Sequence, residues 1–442
     1  MASQKKNLVT NFKIQGGKKL SGTVTTKTAK NSAVSLLCAS LLNRSTTTFV
    51  DMPRIEEVNR ILEVLKSLGV KITWKGDKLS LTPPRKLNPG AMDQAAARRT
   101  RSAIMLIGSL IHLSPSFRIP HAGGCRLGKR TVRPHFLALK ELGVSIQTTD
   151  TEYKISRKAL RKNRSVVLYE SGDTVTENVL LAASKIPGTT TVKFASANYM
   201  VQDLCYFLQS LGVKIDGIGT TTLTVHGNPD MDRPVTARPG EDPIESMLFL
   251  SIAATTNSSI RINSCPLDFL ELELLKLKTM GLRYKILREY TSRNGHTRLG
   301  DIETHPSHLS ALDEKIYARP FPGLNIDNLP FFVPIASQAR GSTLIHDWVY
   351  ENRAIYYLEL SKLGADILLA DPHRVYIQGP AKLRPAEVIC PPALRPAAII
   401  LIAMLAAPGT SVLRNVYSIN RGYESLAARL RKLGADIKVL RR

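Results

Sequence analysis

The sequence predicts an α/β protein assembled from six copies of one unit (a loop, a buried helix, a strand, an amphipathic helix and then strands) and divided into two domains. Three observations predict it. A glycine that ends a helix recurs six times. A turn leading into a β-branched run recurs in phase with that glycine. At 442 residues the chain also exceeds the size of a single hydrophobic core.

The first mark is a helical segment closed by an apolar residue and Gly, then a strand-like run. The copies are Leu68-Gly69-Val70-Lys71-Ile72, Leu142-Gly143-Val144-Ser145-Ile146, Leu211-Gly212-Val213-Lys214-Ile215, Met280-Gly281-Leu282, Leu363-Gly364-Ala365-Asp366-Ile367 and Leu433-Gly434-Ala435-Asp436-Ile437. Successive glycines lie 69 to 83 residues apart. Glycine suits a helix end because it enters the left-handed region without strain. The second mark is a Ser/Thr/Gly turn such as Ser45-Thr46-Thr47-Thr48-Phe49, Gly188-Thr189-Thr190-Thr191-Val192 or Gly409-Thr410-Ser411-Val412. It precedes the glycine by 23 to 29 residues in all six copies, so each copy reads as a structural unit.

Before each turn runs an apolar stretch of helical length: Ala33–Leu42, Ser102–Ile111, Asn178–Ile186, Ser246–Ala254 and Pro396–Ala407 are examples. A helix that is apolar nearly all round has to be buried. The helix before each glycine, for example 58–68 or 424–433, alternates apolar and charged positions at helical spacing, so one face is wet. Buried helices expose unpaired N–H groups and a partial positive charge at their starts, which makes those starts anion sites. The starts fall at Ala29-Lys30-Asn31, Arg98–Arg101, Thr176-Glu177-Asn178, Pro243-Ile244-Glu245, Ile326-Asp327-Asn328 and Leu394-Arg395-Pro396. Lys30, Arg101 and Arg395 therefore stand where a phosphate or carboxylate would be held.

The charge balance agrees with an anionic partner. Lys and Arg number 61 against 36 Asp and Glu, a formal +25. Such a surplus draws anions to the surface and into clefts. Aromatic residues are only 6% and are not interleaved with the basic clusters, which argues against a nucleic-acid interface. The cysteines, Cys38, Cys125, Cys205, Cys265 and Cys390, are odd in number with no close pair, so a reducing compartment is expected and a disulfide framework is not. No Cys-x-x-Cys or His-Glu-x-x-His spacing supports a metal site. The polar N-terminus resembles no signal peptide, and the longest apolar run is too short to span a bilayer, so the expectation is a cytoplasmic chain without a membrane partner.

Five segments resemble the enolpyruvyl transferases, most closely the branch that uses UDP-N-acetylglucosamine in peptidoglycan synthesis. They are Thr28-Ala29-Lys30-Asn31-Ser32-Ala33, Gly123-Gly124-Cys125-Arg126-Leu127-Gly128-Lys129-Arg130, Arg319-Pro320-Phe321-Pro322-Gly323-Leu324-Asn325-Ile326-Asp327, Tyr350-Glu351-Asn352-Arg353 and Arg421-Gly422-Tyr423-Glu424. The resemblance runs from Phe12 to Ile437. It implies an inside-out α/β barrel of two domains, each of three repeated β-α-β-α-β-β units, the first in residues 30–240 and the second in residues 1–29 with 241–442. It also implies transfer of the enolpyruvyl group of phosphoenolpyruvate to the 3-hydroxyl of the nucleotide sugar, with release of phosphate and without a metal or organic cofactor. No Walker loop or dinucleotide fingerprint occurs.

Roles follow from the same resemblance. Cys125 would act near the donor carbon as an acid or covalent holder. Its neighbours Arg126, Lys129 and Arg130 favour the thiolate, although a cysteine after two glycines is otherwise an ordinary loop residue. Lys30, Arg130 and Arg421 would clamp the donor, with Arg101 and Arg395 in support, because a guanidinium matches phosphate and carboxylate bidentately. Asn31 and Asp327 would face the acceptor, Asp327 as general base. Asp327 also reads as a helix N-cap. Tyr350 joins the substrate-binding set.

Four positions depart from the family pattern. Ala393 replaces an Asp two residues before Arg395, and Glu170 replaces a diphosphate-contacting Lys. Thr131-Val132-Arg133-Pro134 replaces Pro-Val-Asp-Leu, and Tyr199-Met200 replaces Pro-Glu. Three of the four concern the acceptor. Two alternatives therefore stay open: a sister transferase with another nucleotide acceptor such as UMP, and a non-catalytic paralogue that binds a nucleotide or RNA.

Overall fold

The computed structural model describes residues 9–122 and 131–441. It shows a mixed α/β protein whose described strands form six sheets, five of four strands and one of three. One pairing pattern serves all the four-stranded sheets. An edge strand lies parallel to the strand that follows the buried helix, and two antiparallel strands complete the row. In the third unit, Arg164–Val167 pairs parallel with Gly188–Lys193, which pairs antiparallel with Thr222–Gly227, which pairs antiparallel with Lys214–Asp216. The three-stranded sheet, Ser116–Pro120 with Glu152–Arg157 and Val144–Thr148, keeps only the antiparallel part. All six repeat glycines are left-handed, with φ from +88 to +99. At Gly281 a Cβ would also lie 2.6 Å from the His308 carbonyl oxygen, so glycine is required there twice over.

Three strands leave their sequence neighbours. Thr10–Gly16 inserts between Gly409–Arg414 and Asp436–Arg441 in the last sheet. Ser21–Thr25 lies parallel to Ser259–Pro266 in the fourth. Val235–Ala237 lies parallel to Thr47–Val50 in the first. The segments that follow Ser21–Thr25 and Val235–Ala237 are bonded to each other. Ala29 N donates to Gly240 O and Asp242 N to Lys27 O, both at 2.8 Å.

The apolar stretches are the buried helices Lys30–Ala39, Leu106–Leu110, Asp173–Ala183, Pro243–Thr255 and Leu394–Ala406. Every residue of Pro243–Thr255 is buried. Lys30–Ala39 packs on Tyr199–Ser210, and Leu394–Ala406 on Pro243–Thr255. Some boundaries differ from the sequence reading. The third buried helix starts at Asp173, a turn before Thr176, because Gly172 is extended and Thr176 Oγ1 bonds back to its carbonyl at 2.7 Å. The last outer helix starts at Leu426, not 424, because Ser425 is left-handed at φ +50. The fifth outer helix, Ala354–Leu363, is 3-10. Among the described residues no helix is long and apolar enough to cross a membrane.

Candidate functional site

Helix starts from different units meet at one place. Lys30 is the first residue of its helix, and the N-cap Ala29 offers no side-chain bond, so the first N–H groups stay open to a ligand. Burial lowers the Lys30 pKa. Its charge environment comprises Glu57, Arg395, Asp327 and Arg421. Four residues far apart in sequence are thereby gathered round one ammonium.

Arg395 opens the helix Leu394–Ala406 and is buried. Its Nη2 donates to Asp327 Oδ2 at 3.1 Å and its Nη1 to Tyr423 Oη at 3.0 Å, while its Nε is buried without a partner among the described residues. Asp327 is not a helix cap. Asn328 occupies that place before the 3-10 turn Leu329–Phe331, and the Asp327 carboxylate turns to Arg395 because a buried guanidinium needs a counter-charge. On its other side Arg353 Nη1 lies 3.9 Å from Asp327 Oδ1. Arg353 is only 1% exposed and holds Asp347 with two bonds, Nε–Oδ2 at 2.6 Å and Nη2–Oδ1 at 2.8 Å. The Asp347 carboxylate also accepts from Tyr357 Oη at 2.6 Å. The Arg353 guanidinium lies 4.4 Å from the centroid of the Tyr350 ring.

Arg421, on the helix Tyr417–Gly422, lies 3.8 Å from Glu57. Glu57 in turn accepts from Thr100 and Ser102, which flank Arg101. Arg101 acts on a different neighbourhood: its charge helps to lower the pKa of buried His135 and bears on Tyr153. Asn31 Nδ2 donates to Tyr199 Oη at 3.2 Å. Asp242 caps Pro243–Thr255 through the Ile244 amide. Burial pushes its carboxyl up to about 6 against the pull of Arg395.

The structure thus brings Lys30, Asp327, Arg395 and Arg421 together, with Asn31 next to Lys30 in the chain and Tyr350 against Arg353, which faces Asp327. Cys125 and Arg130 lie outside the described residues. Arg353, Asp347, Tyr423 and Glu57 were not singled out by sequence reasoning. Arg353 and Tyr423 stand inside segments already marked, whereas no local signal pairs Asp347 with Arg353 or Glu57 with Arg421. At the departures, Ala393 is a buried N-cap without a side-chain bond, and Glu170 and Arg133 are exposed. Among the described residues no cluster of His, Cys, Asp or Glu could hold a metal.

Chemically, three cations around one part-exposed carboxylate can hold a compact anion with several charged oxygens and leave a base beside it. Comparison with known proteins bears on this arrangement. The profile of the EPSP synthase (3-phosphoshikimate 1-carboxyvinyltransferase) family matches residues 14–439. The UDP-N-acetylglucosamine 1-carboxyvinyltransferase of Bradyrhizobium diazoefficiens is 31% identical, covering 96% of this chain and 97% of its own. That of Treponema denticola is 32% identical, covering 96% and 98%. Among solved structures, the enolpyruvyl transferase NikO from Streptomyces tendae is similar with a TM-score of 0.84 at 23% identity, over 98% of this chain and all of its own. An EPSP synthase from Acinetobacter baumannii gives 0.77 at 19%, over 98% of this chain and all of its own.

Proposed function

The chain belongs to the EPSP synthase family of enolpyruvyl transferases, and from that premise we propose that it transfers the enolpyruvyl group of phosphoenolpyruvate to the 3-hydroxyl of UDP-N-acetylglucosamine. The observation that carries the reading is the gathering of Arg395, Asp327 and Arg421 round the buried Lys30 ammonium, with Arg395 bonded to Asp327. Lys30, Arg395 and Arg421 clamp the donor's phosphate and carboxylate. Asp327 takes the proton of the acceptor hydroxyl as its oxygen bonds to the central donor carbon. A proton reaches the methylene carbon, giving a tetrahedral adduct. Loss of a methyl proton with departure of phosphate restores the double bond. Cys125, with Arg130 and Arg101, completes the donor side, Cys125 as the proton source. Asn31 and Tyr350 face the acceptor.

We also infer the inside-out barrel, divided into residues 30–240 and residues 1–29 with 241–442. The reading is supported by the buried helices, by the strands at Ser21–Thr25 and Val235–Ala237 that cross over, and by the similar structures. The substrates then lie between the two parts, and the reaction belongs to cytoplasmic peptidoglycan synthesis.

The test is release of phosphate from phosphoenolpyruvate with UDP-N-acetylglucosamine, UMP or shikimate 3-phosphate, with Cys125→Ala as control. Release with the nucleotide sugar alone supports the reading. Release with UMP alone overturns the acceptor and supports the second reading, which Glu170 and Arg133 favour, since Glu170 would repel a diphosphate where the family has a Lys and Arg133 alters the stretch that meets the uracil nucleotide. No release with any acceptor sinks both.

A further inference from the structure

Tyr199 is left without a task by the chemistry above, yet it is built into the site. It opens the helix Tyr199–Ser210 and is 3% exposed, and its hydroxyl receives the Asn31 amide at 3.2 Å. Asn31 belongs to the first unit and Tyr199 to the third. The Tyr199 ring meets Phe269 edge-on, with centroids 5.8 Å apart at 67°. Phe269 ends the turn Leu267–Phe269 of the fourth unit, and its ring meets Phe321 at 5.2 Å. Phe321 lies in the loop that carries Asp327. That loop is tied within itself by Arg319 N to Leu324 O at 3.1 Å, Gly323 N to Pro320 O at 2.9 Å and Asp327 N to Asn325 Oδ1 at 2.9 Å. A continuous line of contacts therefore runs from Asn31, through three rings, to the loop of the proposed base.

Two features make this line more than core packing. A buried ring needs no hydroxyl to fill its space, and a phenol placed where Phe would pack must find a polar partner. The partner here is the acceptor-facing Asn31. Burial, reinforced by Asp242 and Asp327, raises the Tyr199 pKa well above the usual value, so the phenol stays protonated and can hold the amide as a neutral group. In addition, Tyr199, Phe269 and Phe321 border a cavity of about 60 Å³, shared with Gln202 and His296. That space leaves the rings room to shift, so their mutual contacts, rather than a close-packed shell, hold their positions.

We propose that Tyr199 is a positioning residue that sets the Asn31 amide for the acceptor and, through Phe269 and Phe321, ties acceptor binding to the placement of Asp327. The donor clamp of Lys30, Arg395 and Arg421 meets this line only at its far end, where Arg395 bonds Asp327. The inference rests on the enolpyruvyl-transfer reading. It also gives a task to one departure of the sequence from its family, Tyr199 in place of Pro.

The test uses the full chain and the acceptor that the wild type turns over. Steady-state phosphate release is measured for Tyr199→Phe, Phe269→Leu, Asn31→Ala and the double variant Tyr199→Phe/Asn31→Ala, each checked by its melting curve. Tyr199→Phe keeps the ring and loses one neutral hydrogen bond, so the acceptor KM should rise about 2- to 10-fold, more than kcat falls. Phe269→Leu keeps the hydroxyl and loosens the bridge, so kcat should drop about 10-fold or more with a smaller change in acceptor KM. The double variant should be no worse than Asn31→Ala alone. Additive effects of Tyr199→Phe and Asn31→Ala, or equal losses for donor and acceptor that follow the melting temperature, would overturn the proposal while the transfer reading stands. A wild type inactive with every acceptor would defeat both.

Discussion

Replacing Asp327 by Asn should move two measurements in opposite directions. In the structure the Asp327 carboxylate neutralises Arg395 at 3.1 Å and faces Arg353 at 3.9 Å. It therefore competes with an incoming anion for the same guanidinium. At an effective dielectric of about 20, two unit charges about 4 Å apart interact by about 4 kcal/mol. The carboxylate is a quarter exposed, and screening with desolvation leaves about a third of that, or a factor of about 10 in affinity. In the Asp327→Asn variant the side-chain amide keeps a hydrogen bond to Arg395 but carries no charge, so phosphoenolpyruvate should bind about 10-fold more tightly. Loss of the base should meanwhile lower kcat by about 10²- to 10⁴-fold. Calorimetric titration of the donor and steady-state phosphate release check the two arms. A kcat within a few-fold of wild type would show that another group takes the proton, and weaker donor binding would show that Asp327 does not oppose the donor charge.

Other outcomes follow from the buried titrating groups. Burial holds His112 and His135 down to about 4. Below about pH 6.5 the unfolded chain binds protons that the folded chain refuses, so stability should fall from there towards pH 4, by up to about 2.7 kcal/mol per pH unit for the pair. Urea titrations at pH 7 and pH 5 measure this, and His112→Gln should roughly halve the slope. Because burial lowers the Lys30 pKa, its charge is lost at a lower pH than that of an exposed lysine. The KM for phosphoenolpyruvate should therefore rise early on the alkaline side, and Lys30→Arg should move that limb to higher pH. Arg353→Lys cannot reproduce the two-bond grip on Asp347. It should cost about 3 kcal/mol, read from the urea midpoint.

How much of this was legible in the chain depends on the range of the forces involved. The repeat was legible because its marks are local. A glycine at φ near +90 is required wherever a helix must turn sharply into a strand, and the requirement shows at Gly69, Gly143, Gly212, Gly281, Gly364 and Gly434 alike. The buried helices were legible because an all-round apolar surface has only one stable place. Helix starts were less sharp, as at Asp173 and Leu426, because a single residue's backbone conformation decides them. Lys30, Arg395, Arg421 and Asp327 stood out through their positions at helix starts and in marked segments. The use that the fold makes of Arg395 did not, since its charge is met by Asp327, 68 residues away.

The sequence by itself determined the unit, the number of its copies and the cationic helix starts, because each depends on residues a turn or two apart. Only the tertiary structure decided which strands share a sheet, which carboxylate faces which guanidinium, and that Asn31 leans on Tyr199 across 168 residues. Those pairings arise when burial forces every polar group to find a partner, and that partner is chosen by nearness in space, which no local pattern records.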